Sequence, residues 1–334
     1  MSLVAIKKKL VYFKVWGNDY TFSIYVFKIA GYFLTGLYYL ATFCNKEKTK
    51  YFNKRQNIFV LKRLKEINAI LKPSNEEFNR KFLHGDYYDF NGIRLPKIEN
   101  TYLMRTVYED SLSIYTEHND NYSYTIVDDL DKKLPEGTYC YVGKNGEDIT
   151  VKKGYVVVDA GAWLGDFSAY AAKKGANVYA FEPSPANIAM LQRTIEYNKD
   201  VEGSITIVPL GLGEEEGSVS FFENDSDGNT GGNSFNIQTG DGNTNLEITT
   251  LDTWAEKNAI VKVDFIKSDI EGYERHMLRG ATKILREHKP ILSICTYHLP
   301  DDREVIKEII LKANPNYTII QRKMKLFAFV KNTH

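Results

Sequence analysis

The residues best suited to chemistry lie in the segment VVVDAGAWLGDFS, where Asp159, Gly161 and Gly165 fall in the order Asp-x-Gly-x-x-x-Gly, with Glu182 following in YAFEPSP. A glycine at 161 lets the backbone turn sharply beside a ligand with no Cβ in the way, and one at 165 allows helix and strand to approach closely. Glu182 stands 23 residues after Asp159, where a carboxylate at the end of a second strand accepts both hydroxyls of an adenosine ribose. The constellation predicts an adenosine ligand over the carboxyl ends of parallel strands.

The spacing narrows the ligand. A dinucleotide fingerprint is GxGxxG, with backbone amides on a pyrophosphate, whereas here bulky Trp163 occupies the place of the middle glycine. Asp159 and Asp166 add negative charge to the turn, which disfavours a phosphate and favours a ligand carrying an amino group and a sulfonium. A nicotinamide-dependent oxidoreductase is the alternative enzyme on such a sheet, and the missing middle glycine counts against it.

A second group lies further on. Ser268-Asp269-Ile270-Glu271-Gly272 ends another strand, and His298 follows a fifth strand in TYHLPDD. A carboxylate such as Asp269 or Glu271 can orient an acceptor hydroxyl or take its proton, and an imidazole with an ordinary pKa near 6.5 suits a base. The competing role for the carboxylates is a helix N-cap. No metal is assigned, although Asp269, Glu271 and His298 together form an alternative divalent-cation site. Residues 224 to 245 hold five glycines and six asparagines and read as a lid; their DSDGN start resembles a calcium loop but has Thr230 at the turn glycine and Asn236 at the bidentate Glu.

The elements that position these residues read as alternating strands and helices. Strands are expected at 155–160, 178–181, 205–208, 219–222, 247–250, 264–269, 291–296, 317–321 and 326–330, with helices at 167–174, 185–198, 273–285 and 303–311. Repeated βαβ units imply a doubly wound, mostly parallel sheet. Upstream, residues 86–150 mix Tyr-rich short strands and turns, residues 45–85 are charged with helical spacing, and residues 20–43 are the most apolar and aromatic stretch. Three regions are expected: a helical, basic and aromatic region over 1–100, connecting strands over 101–150, and a ligand-binding domain over 151–334.

The 334 residues carry 43 basic and 43 acidic side chains, but residues 1–100 hold 18 Lys and Arg against 8 Asp and Glu. The acidic remainder argues against a nucleic-acid face, and no Asp/Asn-Pro-Pro-Tyr segment of base-modifying enzymes follows the fourth strand. Three scattered cysteines offer no disulfide framework or zinc knuckle, which fits a cytoplasmic protein. The uncharged run after Lys28 is 15 residues, short of a spanning helix, so residues 1–44 read as peripheral membrane contact or as a helix packed on the body.

On VVVDAGAWLGDFSAYAAKKGA, YAFEPSP, VPLGLGEEEGSVSF, TTLDTW and FIKSDIEGYERHMLRGA, in that order, the chain resembles the FkbM family of class I S-adenosylmethionine-dependent methyltransferases through roughly Thr150 to Val330. The resemblance implies a seven-stranded Rossmann-like sheet and methyl transfer from S-adenosyl-L-methionine, usually to an oxygen of a sugar, glycan or polyketide-type acceptor. By match, Asp159, Gly161 and Gly165, with Ala162, Trp163 and Asp166 in the same turn, border the methionine part of the cofactor. Glu182 with Pro183 borders the ribose, Leu210 with Gly211 the adenine, and Asp269 faces both cofactor and acceptor. A membrane-surface binding protein with a degenerate domain is the remaining alternative, and it is disfavoured because Asp159, Gly161, Gly165 and Glu182 are all present.

Overall fold

The computed structural model describes residues 75–108, 139–143, 147–222, 243–322 and 324–331. The chain divides into two compact units, Met1–Glu77 and Phe78–His334. The aromatic segment 20–43 and most of the expected lid lie outside the described residues. Among the described residues no helix is long and apolar enough to cross a membrane.

After helical residues 78–82 the second unit has β1 (Leu83–His84), β2 (Tyr87–Asp89) and β3 (Arg94–Pro96), a small antiparallel sheet, followed by α1 (Thr101–Val107) and the pair β4 (Tyr141–Val142) and β5 (Asp148–Ile149). Then come β6 (Val156–Ala160), α2 (Asp166–Lys173), β7 (Asn177–Phe181), α3 (Pro185–Tyr197), β8 (Ser204–Val208), β9 (Gly211–Leu212), β10 (Gly217–Phe222) and β11 (Asn243–Thr249). The chain continues through α4 (Leu251–Lys257), β12 (Phe265–Ser268), α5 (Glu274–Arg279), α6 (Thr282–Glu287), β13 (Ile291–Cys295), α7 (Asp302–Ala313), β14 (Tyr317–Gln321) and β15 (Lys325–Val330).

Seven strands form one sheet in the order β14-β15-β13-β12-β6-β7-β8, parallel from β13 to β8, with β15 antiparallel to both neighbours. It is a doubly wound Rossmann-like sheet, as expected. Successive residues face opposite layers. Val157, Phe265 and Phe327 join a core with Phe167 and Tyr170 of α2, while Val158, Ile266 and Leu326 join one with Met277, Leu278 and Ile306. Burial on both faces explains why these strands read as continuous apolar runs.

The strand order reverses between β6 and β12, which makes that boundary the switch point. Ala160 pairs with Phe181 on one side and Ser268 on the other. The next residues, Gly161, Glu182 and Asp269, therefore stand abreast at the carboxyl edge of three adjacent strands. A Cβ built on Gly161, at φ 75°, would lie 2.0 Å from the Asp269 carbonyl oxygen, so only glycine allows the two strand ends to meet this closely.

Three local features differ from expectation. The helix expected over 273–285 breaks at Gly280, where a Cβ would lie 2.0 Å from the Gly213 carbonyl oxygen, and it becomes α5 and α6. Strand β11 begins at Asn243, because pairing with β10 (Phe222 opposite Asn243) supplies order that its polar sequence does not advertise. Helix α4 was unanticipated; Thr250 caps it by accepting from the Thr253 amide, and Leu251, Trp254 and Ala255 form its buried stripe.

Candidate active site

The turn after β6 is tied to the end of β7. Gly161 and Ala162 both donate their amides to the Phe181 carbonyl, at 3.0 and 3.1 Å. Trp163 adopts φ 47°, a left-handed conformation rare for so large a residue, and its amide donates to Glu182 Oε2 at 2.8 Å. Glu182 Oε1 accepts from the Ser184 amide and from Asn187 Nδ2, at 3.0 and 3.1 Å. Burial pushes the Glu182 carboxyl upward, and these three donors oppose it. The carboxylate is thus held in one orientation at the strand end, with Pro183 half-buried beside it. Leu210 and Gly211 follow β8 on the same side, the Leu210 amide donating to the Val208 carbonyl at 2.8 Å. This arrangement fits an adenosine ligand: a rigid carboxylate for a ribose, and a glycine cradle with no room for a side chain.

Two residues of the turn are placed differently from expectation. Asp159 is fully buried; its carboxylate lies 2.9 Å from Lys267 Nζ and accepts from Ser168 Oγ at 2.6 Å, so its charge is taken up within the protein. Lys267 also donates to the Gly161 carbonyl at 2.6 Å and fixes the glycine turn against β12. A Cβ on Gly165 would meet Leu191 Cδ1 at 2.4 Å, so this glycine brings the start of α2 against helix α3 rather than against a strand. Asp166 keeps the acidic role: burial raises its carboxyl to about 6, with Lys267 lowering and Asp159 raising it.

Asp269, Glu271 and His298 converge at the edge of β12 and β13. Asp269 Oδ2 accepts from the Tyr139 hydroxyl at 2.7 Å and Oδ1 from the Tyr297 hydroxyl at 3.0 Å. His298 Nε2 lies 3.5 Å from Asp269 Oδ1 and 3.3 Å from Glu271 Oε2, and Nδ1 lies 3.0 Å from Glu274 Oε1. Glu274, at the start of α5, accepts from the amides of Ile270 and Gly272 at 2.9 and 3.0 Å and is wholly buried. Glu271 itself has φ 51°, a strained conformation that aims the loop between these groups. The N-cap alternative does not describe Asp269 or Glu271, since the residue before α5 is Tyr273 and makes no side-chain cap.

The electrostatics revise the expected role of His298. Burial alone would depress its imidazolium, but Glu271, Glu274 and Asp269 outweigh burial and hold it at about 11. A ring that is already protonated at neutral pH cannot take a further proton. Burial alone would raise Asp269, yet the charges of His298, Lys267 and Lys325 and the Tyr139 hydroxyl bring it to about 2. The charges of Asp269 and Glu271 are thus drawn together by His298 at the strand edge.

Residues 159–319 match the family model of the methyltransferase FkbM domain. This stretch is similar to the methyltransferase FkbM domain. The match starts at Asp159, whose ion pair joins β6 to β12, and it includes Glu182, Asp269, Glu271 and His298. The chain is 28% identical over 131 residues to the hexuronic acid methyltransferase AglP of Haloferax volcanii, an alignment covering 39% of this chain and 52% of that protein. It is also similar to the crystal structure of methyltransferase FkbM from Methylobacillus flagellatus KT, at 27% identity and a TM-score of 0.41, covering 53% of this chain and 44% of that one. The chain spans about half the length of these relatives.

Several residues of the site escaped the sequence reading. Tyr139 lies outside the matched stretch and has no motif around it, so nothing local signals that its hydroxyl reaches Asp269. Lys267 did carry a signal, as a charged residue in the otherwise apolar run FIKS, which is buried throughout. Tyr297 and Glu274 adjoin recognised residues, but only the fold reveals which atoms they hold.

Proposed function

We propose that the protein transfers a methyl group from S-adenosyl-L-methionine to a hydroxyl oxygen of a glycan or other sugar-bearing acceptor. The observation that carries this reading is the alignment of Gly161, Glu182 and Asp269 abreast at the switch point, with the His298–Glu271 group beside them. Glu182 would accept from the ribose hydroxyls, and the turn at Gly161 to Asp166 would hold the methionine end, where an ionised Asp166 favours cationic groups. The cofactor supplies an electrophilic methyl group on a sulfonium. In an in-line displacement the acceptor oxygen forms the new C–O bond, the C–S bond breaks, and the hydroxyl proton passes to a carboxylate, Glu271 or Asp269. Tyr139 and Tyr297 keep Asp269 in place, and His298 keeps the two carboxylates together.

The acceptor class rests on the named activity of the Haloferax volcanii relative, a hexuronic acid methyltransferase. Incubation with methyl-labelled S-adenosylmethionine and a panel of uronic acid and neutral glycosides tests it. Label in a sugar O-methyl ether supports the proposal, and label confined to nitrogen acceptors sinks it. Residues 1–72, with 14 Lys and Arg against Asp19, Glu47 and Glu66, would bring the enzyme to a lipid-linked acceptor at an anionic cytoplasmic membrane face. Co-sedimentation with anionic vesicles that falls with salt supports that role; full-length protein left in the supernatant at low salt refutes it.

A further inference from the structure

The group formed by Asp269, Glu271 and His298 has a feature that proton transfer does not use. The His298 side chain is only 3% exposed, and neither ring nitrogen has a hydrogen bond of good geometry. Nε2 points into the gap between two carboxylate oxygens at 3.5 and 3.3 Å, while Nδ1 faces the buried Glu274 at 3.0 Å. Histidine ligands of metals are arranged in this manner, one nitrogen on the ion and the other held by a carboxylate behind it. Donor atoms bound to one metal at about 2.0 to 2.2 Å sit roughly 3 to 3.5 Å apart in adjacent positions, which is the spacing of Nε2 from each carboxylate, and all three donor atoms lie within 4.8 Å of one another.

We propose that Asp269, Glu271 and His298 Nε2 are the protein ligands of a divalent first-row transition-metal ion that takes the place of the Nε2 proton, released to solvent on binding, with Glu274 orienting the imidazole. Two carboxylates and one imidazole balance a 2+ charge and give a mixed oxygen and nitrogen set, which suits manganese or its neighbours better than magnesium or calcium. A second group nearby, Glu274, His298 and Asp302, does not compete. Both of its carboxylates are fixed by backbone amides, Glu274 by Ile270 and Gly272 and Asp302 by Leu299, and Asp302 is also paired with Arg275, whereas among the described residues Asp269 accepts only from the Tyr139 and Tyr297 hydroxyls. The Asp269 group is also the more accessible of the two, since Asp269 and Glu271 are partly exposed whereas Glu274 and Asp302 are buried. Three protein ligands leave positions for water or for an acceptor oxygen, whose proton the ion would make easier to remove. That use of the ion rests on the methyltransferase reading, whereas its binding does not.

The test is titration of Mn2+ into chelator-stripped, full-length protein, followed by the electron paramagnetic resonance of free Mn2+. One ion bound per chain is expected, with affinity at least tenfold weaker in Glu271→Gln and in His298→Ala, and about 10- to 100-fold weaker in Glu274→Gln. Circular dichroism verifies that each variant is folded, and the partly exposed Glu271→Gln is the change least dependent on packing. Absence of Mn2+ binding by the parent, or binding unchanged in a folded Glu271→Gln, overturns the proposal. Binding of S-adenosylhomocysteine in the presence of EDTA reads the cofactor half of the site alone and separates the two failures.

Discussion

The Tyr139 hydroxyl donates to Asp269 Oδ2 at 2.7 Å, and its ring lies beneath Lys325 Nζ at 4.1 Å and Lys267 Nζ at 5.3 Å. A residue outside the stretch matched by the family model thus fixes the carboxylate at the strand edge and packs its ring against two cations, Lys267 and Lys325, that lower the Asp269 carboxyl.

Tyr139→Phe keeps the ring against the lysines and removes only the hydroxyl. Loss of one hydrogen bond to a charged group costs about 1.5 to 3 kcal/mol. Turnover should therefore fall roughly 10- to 100-fold while S-adenosylhomocysteine affinity stays near the parent value. Asp269→Asn should lower turnover further, by about 10² to 10⁴ if this carboxylate takes the proton. Steady-state kinetics beside calorimetry separates the two effects, and equal losses in both would mean that Tyr139 serves the cofactor instead.

Asp166 predicts a pH dependence for cofactor binding. Burial raises its carboxyl to about 6, so the group is mostly neutral below that pH and ionised above it. An ionised carboxylate favours a ligand bearing ammonium and sulfonium groups, so affinity for S-adenosylmethionine should rise as pH passes through 6 and then level off. For stability the sign is opposite: a raised carboxyl favours the folded state below its unfolded value near 4, and that contribution is lost as pH rises through about 6. Asp166→Asn should flatten both profiles, as measured by calorimetry and thermal melts between pH 5 and 8.

His298 gives a second pH signature, in the metal-stripped protein. Its folded pKa is raised to about 11, so the three surrounding carboxylates stabilise the folded state fully below the unfolded value near 6.5, and this stabilisation is lost as pH rises through about 11. The difference in Tm between the parent and His298→Gln should be largest at pH 6 and shrink steadily toward pH 10. A difference independent of pH would mean that the imidazole acts through packing alone.

The sheet was legible because its strands are buried on both faces, and the runs at Val156–Ala160 and Ile291–Cys295 leave no competing reading. The turn was legible because Gly161 and Gly165 occupy positions where a Cβ would strike the Asp269 carbonyl or Leu191. Spacing fixes where a charge stands along the chain, but not which distant partner takes it. Asp159 therefore read as a ligand-facing carboxylate, although Lys267 and Ser168 engage it. His298 read as a base for the same reason: the carboxylates of Asp269, Glu271 and Glu274 that protonate it gather only when β12, α5 and the end of β13 meet. The close approach of Gly280 to the Gly213 carbonyl, at the break between α5 and α6, joins residues far apart in the chain, which no helical pattern contains.

The central claim, an S-adenosylmethionine site built on the rigid Glu182 carboxylate, is tested most directly by calorimetric titration of S-adenosylhomocysteine and of NAD into the parent and Glu182→Ala proteins. Removing a charge-assisted contact to the ribose costs roughly 1.5 to 3 kcal/mol, about ten- to a hundredfold in affinity. The account predicts that S-adenosylhomocysteine binds the parent, that Glu182→Ala weakens it by that factor, and that NAD gives no heat. Tight binding of NAD with none of S-adenosylhomocysteine would contradict it.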